Sequence, residues 1–234
     1  MKLIRSIVSV LAFAVAIAVL IQVQTVQAQT TATLAYLENT PGATLNIGDK
    51  TFSGFTYSES GLTTFDASDI NVTASQVGTS YFLTWGGNIS LVAAGEVTAD
   101  LLLNYTVSAN DGKIFAIDQN YTGSAFPAGG AFISVAETAI VPGNATIVAS
   151  SYLNDTITST SYTATGAILT PAQPILNITK DIGLGVIDGG FITISQVEQS
   201  FEQVVVPEPA TVGCLLLGLG VLACSRRFIR SGRS

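Results

Sequence analysis

The sequence predicts an all-β body, a β-sandwich or jelly roll, set between an N-terminal export signal and a C-terminal single membrane helix. Three observations predict it. Between residues 29 and 205 the chain is rich in Thr, Ser, Val, Ile, Tyr and Gly and poor in Lys, Arg and Glu, which suits pleated, half-buried strands. Apolar residues recur there with period two. Short strand-like runs follow one another between turn residues without a convincing helical period, and ten or so such strands argue for two packed sheets.

Residues 1–28 read as a secretory signal peptide. Lys2 and Arg5 form a basic start, 7–21 an apolar run, and Val26, Gln27 and Ala28 a small-residue site, so cleavage is expected between Ala28 and Gln29. An uncleaved N-terminal helix is the alternative; the polar run 22–29 speaks against it.

The body, 29–205, is long enough to bury a core as one domain. Its clearest strand is 101–109. Leu101, Leu103, Tyr105, Val107 and Ala109 fall on one face and Asn104, Thr106 and Ser108 on the other, so a one-residue slip would invert the faces. A central position is expected for it. Further strands are expected at 51–57, 70–75, 81–85, 89–93, 114–118, 131–138, 145–149, 161–168, 175–179 and 191–197. Gly54 inside the first of these suggests a bulge. Asn110, Asp111 and Gly112, and again Asp188, Gly189 and Gly190, tolerate positive φ and are expected to close hairpins.

Residues 206–234 combine a Pro-Glu-Pro block, an apolar run and a basic tail. Pro207 and Pro209 cannot sit inside a helix, so a helix can begin only after them. The uncharged run 210–224 is roughly 22 Å long as a helix, short against a hydrocarbon core of about 30 Å. Local thinning and snorkelling of Arg226 and Arg227 make up the difference. Arg226, Arg227, Arg230 and Arg233 then place the C-terminus in the cytoplasm and the body outside. Physics alone leaves open an ordinary single-pass anchor and a processed sorting signal. A eukaryotic lipid-anchor signal fits less well, because it ends in its apolar tail without a basic cluster.

The order of Val206, Pro207, Glu208, Pro209 and Ala210, short apolar helix, arginine cluster and chain end resembles the PEP-CTERM sorting signal of Gram-negative bacteria that make exopolysaccharide. The resemblance implies that Pro207, Glu208 and Pro209 are the recognition block of an exosortase, a membrane-embedded transpeptidase, with Arg226 and Arg227 as the stop and orientation element. It implies an inner-membrane-anchored precursor whose body passes to the cell surface or extracellular matrix. The run 47–57, IGDKTFSGFTY, resembles the opening motif GDK-x-F-x-x-F-x-Y of one large group of such proteins, and 192–201 resembles that group's last strand. The match names no ligand.

Composition excludes several chemistries. The body holds Lys50, Lys113 and Lys180 against fifteen acidic residues, a net charge of −12 that repels nucleic-acid phosphates and anionic headgroups. Both cysteines, Cys214 and Cys224, lie in the apolar tail, and the chain has no histidine. Thiol chemistry and Ser-His-Asp arrangements are therefore ruled out of the body, and neither a cofactor nor a metal is expected. Asp66 and Asp69 lack the Asp-x-Asp-x-Asp-Gly spacing of a calcium loop and read as turn residues. Sequons at Asn71, Asn88, Asn104, Asn120, Asn144, Asn154 and Asn177 are what a Thr- and Ser-rich chain generates freely. Trp85, beside Gly86 and Gly87 and near Tyr81, reads as core, with a sugar-stacking platform as the sharper alternative.

The expectation is a non-enzymatic exported surface or matrix protein. Alternatives are a carbohydrate-binding module of the exopolysaccharide matrix, which an exposed aromatic platform would favour, and a simple single-pass surface protein. A glycosidase would need a cleft holding two acids with raised pKa values.

Overall fold

The computed structural model describes residues 30–126, 130–144, 146–156, 161–163 and 167–204. In chain order these form β1 (Thr30–Thr33), α1 (Leu34–Asn39), β2 (Thr44–Ile47), β3 (Lys50–Ser60), β4 (Asn71–Val77), β5 (Ser80–Ala93), β6 (Val97–Ala109) and β7 (Lys113–Phe126). They continue as β8 (Ala131–Ile140), β9 (Ile147–Thr156), β10 (Ser161–Thr163), β11 (Ala167–Gln173), β12 (Ile175–Val186) and β13 (Gly190–Val204). A seven-stranded sheet runs β1-β4-β5-β13-β7-β10, with β11 also on β7, and a six-stranded sheet runs β2-β3-β6-β12-β8-β9. Every pairing between these strands is antiparallel.

Alternation decides what each sheet buries. Leu101, Leu103, Tyr105 and Val107 of β6 and Leu176, Ile178, Ile182 and Leu184 of β12 face Leu83, Trp85, Ile117, Val197 and Phe201 of the other sheet, all buried. Each such side chain contributes about 1.5–3 kcal/mol on leaving water. At the centre Tyr105 stands 5.3 Å from Trp85 and 6.4 Å from both Phe52 and Phe201, centroid to centroid. The strand expected at 101–109 is central, third of six. Gly54 has φ +63° at a register shift between Ser53 and Thr56, the bulge its position suggested.

Both expected hairpins are corrected. The turn at 110–112 carries the chain from β6 in one sheet to β7 in the other, and 188–190 carries it from β12 to β13, again between sheets. Turn chemistry tells where a chain reverses, not which sheet receives it. Gly189 and Gly190 do use positive φ, +84° and +135°, whereas no residue at 110–112 does. True hairpins join β2 to β3 through Gly48, at φ +56°, and β4 to β5 through Gly78, at φ +62°.

Other expectations change in detail. The runs 81–85 and 89–93 are one strand, β5, continued through Gly86 and Gly87 opposite a register shift in β13. The run 161–168 divides between β10 and β11. The body also contains a helix, α1. Thr33 caps it, its hydroxyl accepting from Tyr36 N at 3.3 Å, and Leu34 and Leu37 are buried. Six residues are too few to show a helical period, so packing rather than propensity holds it.

Candidate functional site

The expected sorting block Pro207, Glu208 and Pro209, the basic pair Arg226 and Arg227, and the expected cleavage pair Ala28 and Gln29 lie outside the described residues. So does the apolar run 210–224; among the described residues no helix is long and apolar enough to cross a membrane. Within the body, Asp66 is a turn residue whose Oδ1 accepts from Ser68 N at 2.8 Å and Ser68 Oγ at 2.6 Å, which holds its carboxyl below its ordinary pKa. Among the described residues no cluster of three or more potential metal ligands occurs.

Trp85 and Tyr81 are not a surface platform. They point inward with relative exposures of 1% and 6%. Phe82 and Thr84, between them, point the other way, onto the outer face of the seven-stranded sheet, where polar and aromatic groups gather. On β5, β13 and β7, the register sets Phe82 beside Ser200 and Ser200 beside Asp118, and one step on Thr84 beside Glu198 and Glu198 beside Asn120. All of these but Thr84, together with Gln119 and Glu202, line an open cleft of about 250 Å³. Its carboxylates are pre-positioned. Glu198 accepts from Asn120 Nδ2 at 2.8 Å and Thr84 Oγ1 at 3.3 Å, and Glu202 accepts from Ser80 Oγ at 2.8 Å. Burial, with a contribution from Glu202, holds the Asp118 carboxyl above its ordinary value, against the N–H of Gln119.

The same face continues toward the start of β13. There Phe191 pairs with Phe126 of β7 and Val92 of β5, and all three are exposed. The two rings stack with centroids 6.1 Å apart and planes 25° apart. Phe126 is 65% exposed. An aromatic pair and a hydrogen-bonding cleft therefore share one outer face, separated by about 20 Å of β13. Two of the sequon asparagines tie neighbouring strands: Asn104 and Asn177 accept from Thr179 and Thr106, each at 2.8 Å.

Two further polar clusters went unread in the sequence. Around the β2–β3 turn, Lys50 is fully buried, donating to Asp49 Oδ1 at 2.6 Å and to Gln203 Oε1, with its Nζ 4.1 Å from the Tyr81 ring centroid. Gln203 Nε2 closes the ring onto Asp49 Oδ2 at 2.8 Å. Burial and the neighbouring Asp49 push the Tyr81 hydroxyl up to about 12. The Gly-Asp-Lys motif is thus a tie between the first long hairpin and the end of β13. Between the sheets, Lys180 of β12 donates to Gln119 Oε1 at 2.6 Å, Glu137 Oε2 at 2.7 Å and Gln199 Oε1 at 2.9 Å. All four side chains are buried. Burial lowers the Lys180 pKa and raises that of Glu137, each against the attraction of the other.

No protein-family model matches the chain, and no curated protein does. Among solved structures it is similar to a carbohydrate-binding module, TmCBM61, in complex with β-1,4-galactotriose: TM-score 0.34, 10% identity, covering 71% of this chain and 92% of that one. Another is a carbohydrate-binding module of the β-sandwich superfamily, with TM-score 0.34 and 12% identity over 79% of this chain and 87% of that one. A third is the family 32 module of C. perfringens NanJ in complex with galactose, with TM-score 0.27 and 15% identity over 74% and 99%. Likenesses of this strength say nothing about what this chain binds.

Proposed function

We propose that the protein is a non-enzymatic, exported polysaccharide-binding β-sandwich of the cell surface or extracellular matrix, and that the outer face of its seven-stranded sheet is the sugar-contacting surface. One observation carries the reading: the exposed Phe126–Phe191 pair lies on the same face as a cleft of pre-positioned hydrogen-bonding groups. Sugar rings present apolar C–H faces that stack on aromatic rings, and hydroxyls that donate to fixed carboxylates. A body of net charge −12 repels acidic polymers, so the favoured ligand is an uncharged polysaccharide. Hydrolysis would need two acids with raised pKa values in one cleft and gives the aromatic pair no part, whereas binding accounts for the pair as well.

The reading includes delivery. The PEP-CTERM-like tail and the signal peptide suit export, with an exosortase and the inner membrane as transient partners and exopolysaccharide as the final one.

The test is co-sedimentation of the mature protein with exopolysaccharide from its native host. Replacing both Phe126 and Phe191 by Ala should weaken binding roughly tenfold, two stacking contacts of about 0.5–1.5 kcal/mol each being lost. Glu198→Gln should weaken it several-fold with the fold intact. Binding unchanged in both variants would sink the proposal.

A further inference from the structure

The cluster between the sheets is organised as two facing cross-strand pairs. Lys180 of β12 stands opposite Glu137 of β8 in the six-stranded sheet, and Gln119 of β7 opposite Gln199 of β13 in the seven-stranded sheet. Lys180 is flanked inward by Ile178 and Ile182, and Gln119 by Ile117 and Tyr121, so the four polar groups sit in an apolar shell. Gln119 Nε2 donates to Val135 O at 3.1 Å and Gln199 Nε2 to Ser200 O at 3.1 Å, which turns both carboxamide oxygens toward the lysine nitrogen. Glu137 touches that nitrogen through Oε2, while its buried Oε1 has no hydrogen-bond partner among the described residues.

We propose that Lys180 and Gln119 form an intramolecular isopeptide bond, with Glu137 moving the proton. An amine, a carboxamide and a carboxyl group held together away from water are the parts such a reaction needs. The attacking amine must be neutral. Burial disfavours both charged forms, lowering the Lys180 pKa and raising that of Glu137, and transfer of the lysine proton to Glu137 Oε2, 2.7 Å away, gives the neutral amine and a carboxylic acid. Nζ adds to Cδ of Gln119, whose oxygen is already 2.6 Å away. Glu137 delivers its proton to the departing amide nitrogen and takes one from the attacking nitrogen, ending as the acid it began as. A C–N bond forms, a C–N bond breaks, and ammonia leaves; no oxidant, water or cofactor is consumed. Gln199 holds the amine in place from the other side. The product ties β12 to β7, which belong to different sheets, in a body that has no cysteine for a disulfide.

Trypsin reads the bond directly, because the body has three lysines and no arginine. The full chain, produced and purified, is denatured and digested, and the fragments are weighed. Cleavage is expected after Lys50 and Lys113 but not after Lys180, with a fragment beginning at Ile114 that runs past Lys180 and is lighter than its sequence by one ammonia. Glu137→Gln and Gln119→Leu should each restore the cut. Complete cleavage after Lys180 in the unaltered protein, with every fragment at its sequence mass, overturns the proposal whatever the variants do. A bond mapped by fragmentation to Gln199 overturns the choice of Gln119, and a bond that survives Glu137→Gln overturns the role of Glu137.

Discussion

Lys50 shows how much a single residue settles. Its ammonium is fully buried, neutralised by Asp49, held by Gln203 and laid over Tyr81. Removing one member of a buried ion pair leaves the other charge desolvated and unpaired, which costs about 3–5 kcal/mol. Lys50→Met should therefore lower stability by roughly 3 kcal/mol, since Asp49 keeps its bond from Gln203 and a little solvent; a urea midpoint unchanged from the parent protein would show that the tie carries no stability. The motif's other positions are structural too. Phe52 and Phe55 are buried, and a Cβ on Gly48 would meet Gln76 Oε1 at 2.5 Å and Tyr81 Cε1 at 2.9 Å. Trp85 illustrates the converse. Its place in the core was legible from the alternation of Tyr81, Leu83 and Trp85, and the same alternation puts Phe82 outward.

At the level of elements, β6 and β12 pair along their whole lengths and bring two carboxylates together on the outer face of the six-stranded sheet. Burial, followed by the charge and hydrogen bond of Asp181, raises the Asp100 carboxyl above its ordinary value of 3.8. An acid that holds its proton more tightly when folded contributes stability below its unfolded pKa, and that contribution is lost as pH rises through the raised folded value. Asp100→Asn should thus flatten the stability profile from about pH 4 upward and raise Tm at neutral pH. Identical pH profiles for the two proteins would refute this. Most of the long strands were readable one by one, although β1 and β2 were not expected and β5 was read as two. β6, β8 and β12 alternate cleanly, yet Glu137 and Lys180 occupy inward positions of that alternation, and Gln119 and Gln199 do so in β7 and β13. Four polar residues in phase with the core were a signal for a buried cluster; which of them would meet depended on pairing between strands far apart in the chain.

On the scale of the whole molecule, β13 is the central strand of the seven-stranded sheet, bonded to β5 and β7, and it ends at Val204, before the Pro-Glu-Pro block. Removal of the tail after that point leaves both ladders of β13 whole. On the delivery route proposed above, the protein recovered from its native host's envelope and medium should lack 1–28 and the segment after the Pro-Glu-Pro block, as terminal peptides and intact mass would report. A membrane-bound form that retains Ser234 would make the tail a plain anchor. The sequence by itself determined the all-β class, the central strand, the bulge at Gly54 and the absence of histidine and cysteine chemistry from the body, because period and composition are local properties. Only the tertiary structure decided that 110–112 and 188–190 cross between sheets, that Phe126 meets Phe191, and that Lys180 meets Gln119. Those contacts join residues far apart in the chain, and strand order, which selects them, is set by the packing of the two sheets together.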